Sequence, residues 1–143
     1  MKSPDGRECS TFLQVRRIAL SGRRTTTLYL QNPEGRRVER VEVDGCAITQ
    51  GPRCDWLLLL NDTTSREEIY VELKGRDVSH AVRQLQATVC ALSTDRMCFP
   101  KRCFVVFTRN PMTGTDIQRY KVKFRSDFSA GLYLVKDNTE VRL

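Results

Sequence analysis

Residues 70–85 read YVELKGRDVSHAVRQL. The stretch opens as a strand and closes as a helix. Val78, Ala81, Val82 and Leu85, continued by Val89 and Leu92, make one apolar stripe at the helical period. Asp77 or Ser79 stands where an N-cap belongs, and Gly75 ends the strand before it. Alternate strand residues share a face, so Tyr70, Glu72 and Lys74 point one way and Ile69, Val71 and Leu73 the other. A carboxylate and an ammonium in so apolar a run need partners or solvent, because an unpaired buried charge is costly.

One strand earlier, residues 54–60 read CDWLLLL, the continuous apolar run of a strand buried on both faces. Asp55 interrupts its beginning. If residues 61–68 (NDTTSREE) join the two strands as a hairpin, Asp55 comes near Glu72 and the site gains a second carboxylate. Two such carboxylates suit Mg²⁺ or Mn²⁺, hard cations that take oxygen ligands and keep several waters. A metal there acidifies a bound water and neutralises charge on a phosphate, while Lys74 orients the water or stabilises the transition state. The expected chemistry is phosphodiester hydrolysis.

Asp55, a connection of 16 residues, and then Glu72-Leu73-Lys74 on a strand followed by a helix together resemble the PD-(D/E)XK nuclease superfamily. That group includes restriction endonucleases, junction resolvases and RecB-type nucleases. The resemblance spans residues 44–108, and the length of 143 residues fits a single α/β domain over residues 1–143. The resemblance implies a restriction-endonuclease-like αβββαβ core, with a mixed central sheet flanked by helices. The metal would be held by Asp55, Glu72 and the backbone carbonyl of Leu73. Gln84, about one turn beyond His80, fits a position where several branches place a group that reaches the water or the phosphate. Many members also carry a glutamate on the first helix, and residues 10–21 (STFLQVRRIALS) contain no acid. Glu8 is the nearest substitute, and Asp44 is another carboxylate that could approach. The resemblance favours DNA over RNA as substrate. Specificity would then need a homodimer or a partner protein. The alternatives are a non-catalytic nucleic-acid-binding module that keeps the fold, and an interaction protein whose E-x-K is a surface pair.

Elsewhere the pattern predicts a helix over residues 10–22, where Phe12, Val15, Ile18 and Ala19 have helical spacing. Two strands joined by the turn NPEG are expected within residues 25–43, and a short strand within the turn-rich residues 44–52. Residues 102–110 and 131–135 read as further strands. Residues 117–128 (IQRYKVKFRSDF) fit either a strand or a helix. As a strand they would line up Arg119, Lys121, Lys123 and Arg125 to follow a phosphate backbone. Trp56, on the opposite strand face from Asp55, reads as core.

The net charge of +7 divides into +5 over residues 1–40, −4 over 41–80 and +6 over 81–143. An acidic centre between basic flanks suits a cation site within a surface that attracts polyanions. The longest strongly apolar run, WLLLL, is far too short to span a bilayer, so no membrane partner is expected. The N-terminus lacks a secretory apolar stretch, which points to the cytoplasm and to reduced thiols. The six cysteines include no C-x-x-C pair and the chain has one histidine, so structural zinc is not expected.

Overall fold

The computed structural model describes residues 1–22, 26–61, 66–75, 77–95, 100–109 and 113–143, with Lys74 and Gly75 described in backbone only. The chain is α/β. Its elements are β1 (Ser10–Leu13), β2 (Arg17–Ser21), β3 (Thr27–Gln31), β4 (Val38–Glu42), β5 (Trp56–Asn61), β6 (Arg66–Gly75), α1 (Val78–Leu92), β7 (Lys101–Phe107), α2 (Gly114–Phe128), β8 (Ala130–Lys136) and β9 (Glu140–Arg142).

A six-stranded sheet runs β1-β4-β5-β6-β7-β8, and a second sheet runs β2-β3-β9. The large sheet is mixed: β1, β4, β5 and β6 are antiparallel neighbours, whereas β6, β7 and β8 are parallel. Parallel neighbours require crossovers. Helix α1 supplies the one between β6 and β7, and α2 the one between β7 and β8.

Both faces of the large sheet are covered. On one, Val41, Leu57, Tyr70, Cys103 and Val105 pack with α1 and with Phe124 and Phe128 of α2. On the other, Leu58, Leu60, Ile69, Val71, Leu73, Phe104 and Val106 pack against Ile18, Leu20, Leu28 and Leu30 of the small sheet. The alternation along β6 thus divides its side chains as the sequence predicts, with Tyr70 toward the helices and Ile69, Val71 and Leu73 toward the small sheet. Helix α1 begins at Asp77, whose side chain accepts from the His80 N–H as N-cap.

The helix expected over residues 10–22 is instead β1 and β2. The deciding pattern is period two: Ile18 and Leu20 are buried, while Arg17, Ala19 and Ser21 are exposed. Phe12 and Val15, which completed the helical stripe, both face solvent. Ladder pairing of Ser10–Leu13 with Val38–Val41 outweighs local helical spacing.

The strands expected around NPEG both form, but in different sheets. Asn32, fully buried, donates to the carbonyls of Val15 and Arg36 and accepts from the Arg36 N–H. Gly35, at φ +61°, completes the turn that carries the chain from one sheet to the other. The strand expected within residues 44–52 reduces to one bridge between Asp44 and Ile48. Residues 114–128 resolve as the helix α2, capped by Thr113 at its start and by Ser129 in the left-handed conformation at its end.

Cys9 and Cys46 form a disulfide across 37 residues, contrary to the expectation of reduced thiols. Their separation in sequence hides a closeness set by the β1–β4 ladder, which the Glu42 N–H extends by donating to the Cys9 carbonyl. No helix among the described residues is long and apolar enough to cross a membrane. Closing a loop of this length restricts the unfolded chain, so Cys46→Ala is expected to lower stability by about 2–4 kcal/mol. Urea unfolding with and without a reducing agent checks this: the wild type responds to reductant and the variant does not.

Candidate functional site

The site forms where β5 begins and β6 ends. The Asp55 N–H donates to the Val71 carbonyl at 3.1 Å, continuing the β5–β6 ladder by one residue. The Asp55 side chain then turns along the neighbouring strand, and its Oδ2 accepts from the Leu73 N–H at 2.7 Å. The carboxylate is thereby held against the Glu72-Leu73-Lys74 backbone by a short, charge-assisted bond. The hairpin expected from sequence sets the Asp55 carboxylate against the Leu73 N–H, one residue along from Glu72.

Glu72 is 4% exposed. It shares the helix-side face of β6 with Tyr70 and Glu68, whose carboxylate accepts from the hydroxyl of Ser93 beyond α1. The side chain of Lys74 lies outside the described residues. Cys54 is fully buried beside this point. Burial drives its thiol well above the ordinary range, and the charges of Glu72 and, less strongly, Asp55 push it further the same way.

Helix α1 is pinned to this point. The Thr88 hydroxyl accepts from the Cys54 N–H at 2.8 Å and donates to the Gln84 carbonyl at 2.8 Å. The Gln84 Oε1 is buried with no hydrogen-bond partner among the described residues. That is an acceptor held out of water beside the stripe that covers β6. A buried amide oxygen left in that state carries a desolvation cost of about 1–3 kcal/mol.

On its open side Asp55 lines a cavity of about 200 Å³ together with Ser21, Gly22, Glu42, Asp44 and Trp56. Asp44 reaches the cleft, as its sequence position allowed, but its carboxylate accepts from Arg53 Nε at 2.7 Å. Glu42 is the acid the sequence reading missed. In VERVEV it reads as the solvent face of a strand, and only the arrival of β2 makes a cleft of that face. Gly22 comes so near β6 that a Cβ there would lie 3.3 Å from Leu73 Cβ. Trp56 packs against the inter-sheet core, as expected, and its indole N–H donates to the Ser21 carbonyl at 3.0 Å.

Glu8 is placed differently. Its carboxylate pairs with the Met1 ammonium and Lys2, which hold its pKa down to about 2, and it does not line the cleft. Arg119, Lys121, Lys123 and Arg125 are exposed, but on α2 rather than in a strand row, so helical rotation divides them between two flanks. His80 lies in the first turn of α1. Among the described residues no three His, Cys, Asp or Glu side chains are grouped closely enough to hold a metal ion.

No protein-family model, curated protein or solved structure matches the chain.

Three outcomes follow from this geometry. Asp55→Ala strips the Leu73 N–H of its acceptor and is expected to cost about 1–3 kcal/mol, whereas Asp55→Asn keeps an oxygen there and costs less. Equal loss in both variants, measured by urea unfolding, would refute that role for the carboxylate. Burial raises the thiols of Cys54 and Cys103 alike. Their contribution is fully present below the unfolded thiol value and is lost as pH rises past it. Above pH about 8.5 stability should therefore fall by about 1.4 kcal/mol per pH unit per thiol. Alkylation with peptide mapping should label exposed Cys90 in the native protein, and Cys54 and Cys103 only after unfolding.

Proposed function

We propose that the protein is a small metal-dependent nuclease of the PD-(D/E)XK type, hydrolysing phosphodiester bonds in nucleic acid, with DNA the favoured substrate. The observation that carries this reading is the 2.7 Å bond from the Leu73 N–H to Asp55, which sets one isolated acid against the E-x-K strand. The run β4-β5-β6-α1-β7 supports it, following the βββαβ part of the αβββαβ order. Strands β1 and β2 stand where that order has its first helix, so the acid that many members carry there has no counterpart on a helix among the described residues.

Asp55 and Glu72, with the Leu73 carbonyl, would hold Mg²⁺ or Mn²⁺, which supplies an acidified water and neutralises phosphate charge when bound. Lys74 orients the attacking water and stabilises charge building on the scissile phosphate. Gln84 presents its buried acceptor oxygen from α1 and helps to position that water. The Asp55–Leu73 bond keeps the carboxylate in place without substrate, so little reorganisation is left for the reaction itself. The second reading, a binding module without catalysis, draws on the Asp44–Arg53 pair, which ties up a carboxylate of the cleft.

Incubation with single-stranded, double-stranded and branched DNA and with RNA, in Mg²⁺, Mn²⁺ or EDTA, tests the proposal. Cutting should require the divalent ion. Lys74→Ala should lower its rate by about 10²–10³-fold, and Asp55→Asn should lower it comparably. Undiminished cutting by Asp55→Asn would sink the assignment, and binding without cutting by the wild type would favour the second reading.

A further inference from the structure

The exposed side of α2 has an organisation that the cleft does not use. Ile117, Tyr120, Phe124 and Phe128 are its buried or half-buried apolar residues. At about 3.6 residues per turn, the crest opposite them carries Thr115, Val122 and Ser126. Arg119 and Lys123 lie to one side of this crest, with Lys121 and Arg125 to the other. All seven are exposed, and Val122 is 60% so. Gly114, Thr115, Gln118, Arg119 and Val122 line an open groove of about 650 Å³ along the first turns. None of the four cations forms an ion pair among the described residues. Asp116 and Asp127 lie lower on the Arg119 side and leave the helix with a surplus of positive charge.

We infer that α2 seats in the major groove of duplex DNA, with its crest toward the base edges and its flanking cations on the two phosphate strands. The inference rests on the nucleic-acid part of the reading above and adds the form of the partner and the element that meets it. A helix about 10–12 Å across with its side chains fits a groove about 12 Å wide. Cations on both sides of the crest match a groove walled by phosphates on both sides; a flat protein surface would not require them there. Thr115, Gln118 and Arg119 offer hydrogen-bonding groups to base edges, and Val122 offers a methyl contact. The deep, narrow major groove of duplex RNA excludes such a helix.

The test is fluorescence anisotropy in EDTA with a DNA duplex, its single strand and an RNA duplex of the same sequence, across a salt series. The DNA duplex should bind tightest. Lys121→Ala and Arg125→Ala should each reduce the slope of log K against log salt by about 1. Val122→Glu should abolish duplex binding with unchanged circular dichroism and Tm, because the site is solvent-exposed. Equal or tighter binding of RNA duplex or single strand overturns the inference, as does an unchanged salt slope in the Lys121→Ala/Arg125→Ala variant. Binding of none of the three also overturns it and leaves the face to an acidic protein. Duplex binding through α2 without cutting fails only the nuclease reading. Cutting that persists at unchanged KM in the double variant fails only this one.

Discussion

Strand β6 is covered on both faces, and the rest of the molecule is arranged around that constraint. It is the last antiparallel and the first parallel member of the large sheet, pairing with β5 on one side and β7 on the other. A strand in that position has no solvent face on which to leave a charge, yet β6 carries Glu68 and Glu72, both nearly inaccessible. Their burial is tolerable only with polar groups nearby. Glu68 meets the Ser93 hydroxyl and the phenol of Tyr70, whose ionisation burial suppresses. The polar end of β6 is therefore a built feature of the core, and the sheet and α1 are placed to suit it.

The change from antiparallel to parallel pairing also locates the cleft. Parallel strands release their connections at one end, and α1 leaves β6 there within three residues of Gly75. Antiparallel β5 starts at that same end, so Asp55 arrives without any special loop. The small sheet closes the opposite side. Gly22 approaches Leu73 closely enough that a larger residue would crowd the strand carrying Glu72. Asp55 just before β5, Glu42 and Asp44 beside it and the tight glycine contact from the small sheet make a narrow polar notch at a sheet end, where open α/β sheets commonly place ligands.

The N-terminal region serves this arrangement indirectly. Strand β1 extends the sheet beyond β4, and the Cys9–Cys46 bond fastens it to the turn that carries Asp44. Arg7 adds a bond to the Gly45 carbonyl, and Arg53 holds Asp44 from the other side. The loop between β4 and β5 is thus anchored at several points just before the chain reaches Asp55.

Much of this was legible in the amino-acid sequence, and the failures share one cause. Helix α1, the apolar strands β5 and β7, the two faces of β6 and the approach of Asp55 to the end of β6 all follow from local periodicity and a single hairpin, which carry their own signal. The region of β1 and β2 misled because its few apolar residues fit two periods, and the choice between them was made by partners distant in sequence: Val38–Val41 for β1, Thr27–Gln31 for β2. The row of cations at residues 119–125 was visible as composition, but its division between two helix flanks depended on Phe124 and Phe128 finding the sheet. Glu42 and Gly22 in the cleft, the union of Cys9 with Cys46, and the passage of β3 and β4 into different sheets left no mark in the sequence. Each is a contact between segments that only the packed chain brings together. The sequence by itself determined which segments could bury a face and where a charge would sit in an apolar strand; the tertiary structure decided which surfaces met, because pairing and burial between distant segments outweigh local propensity.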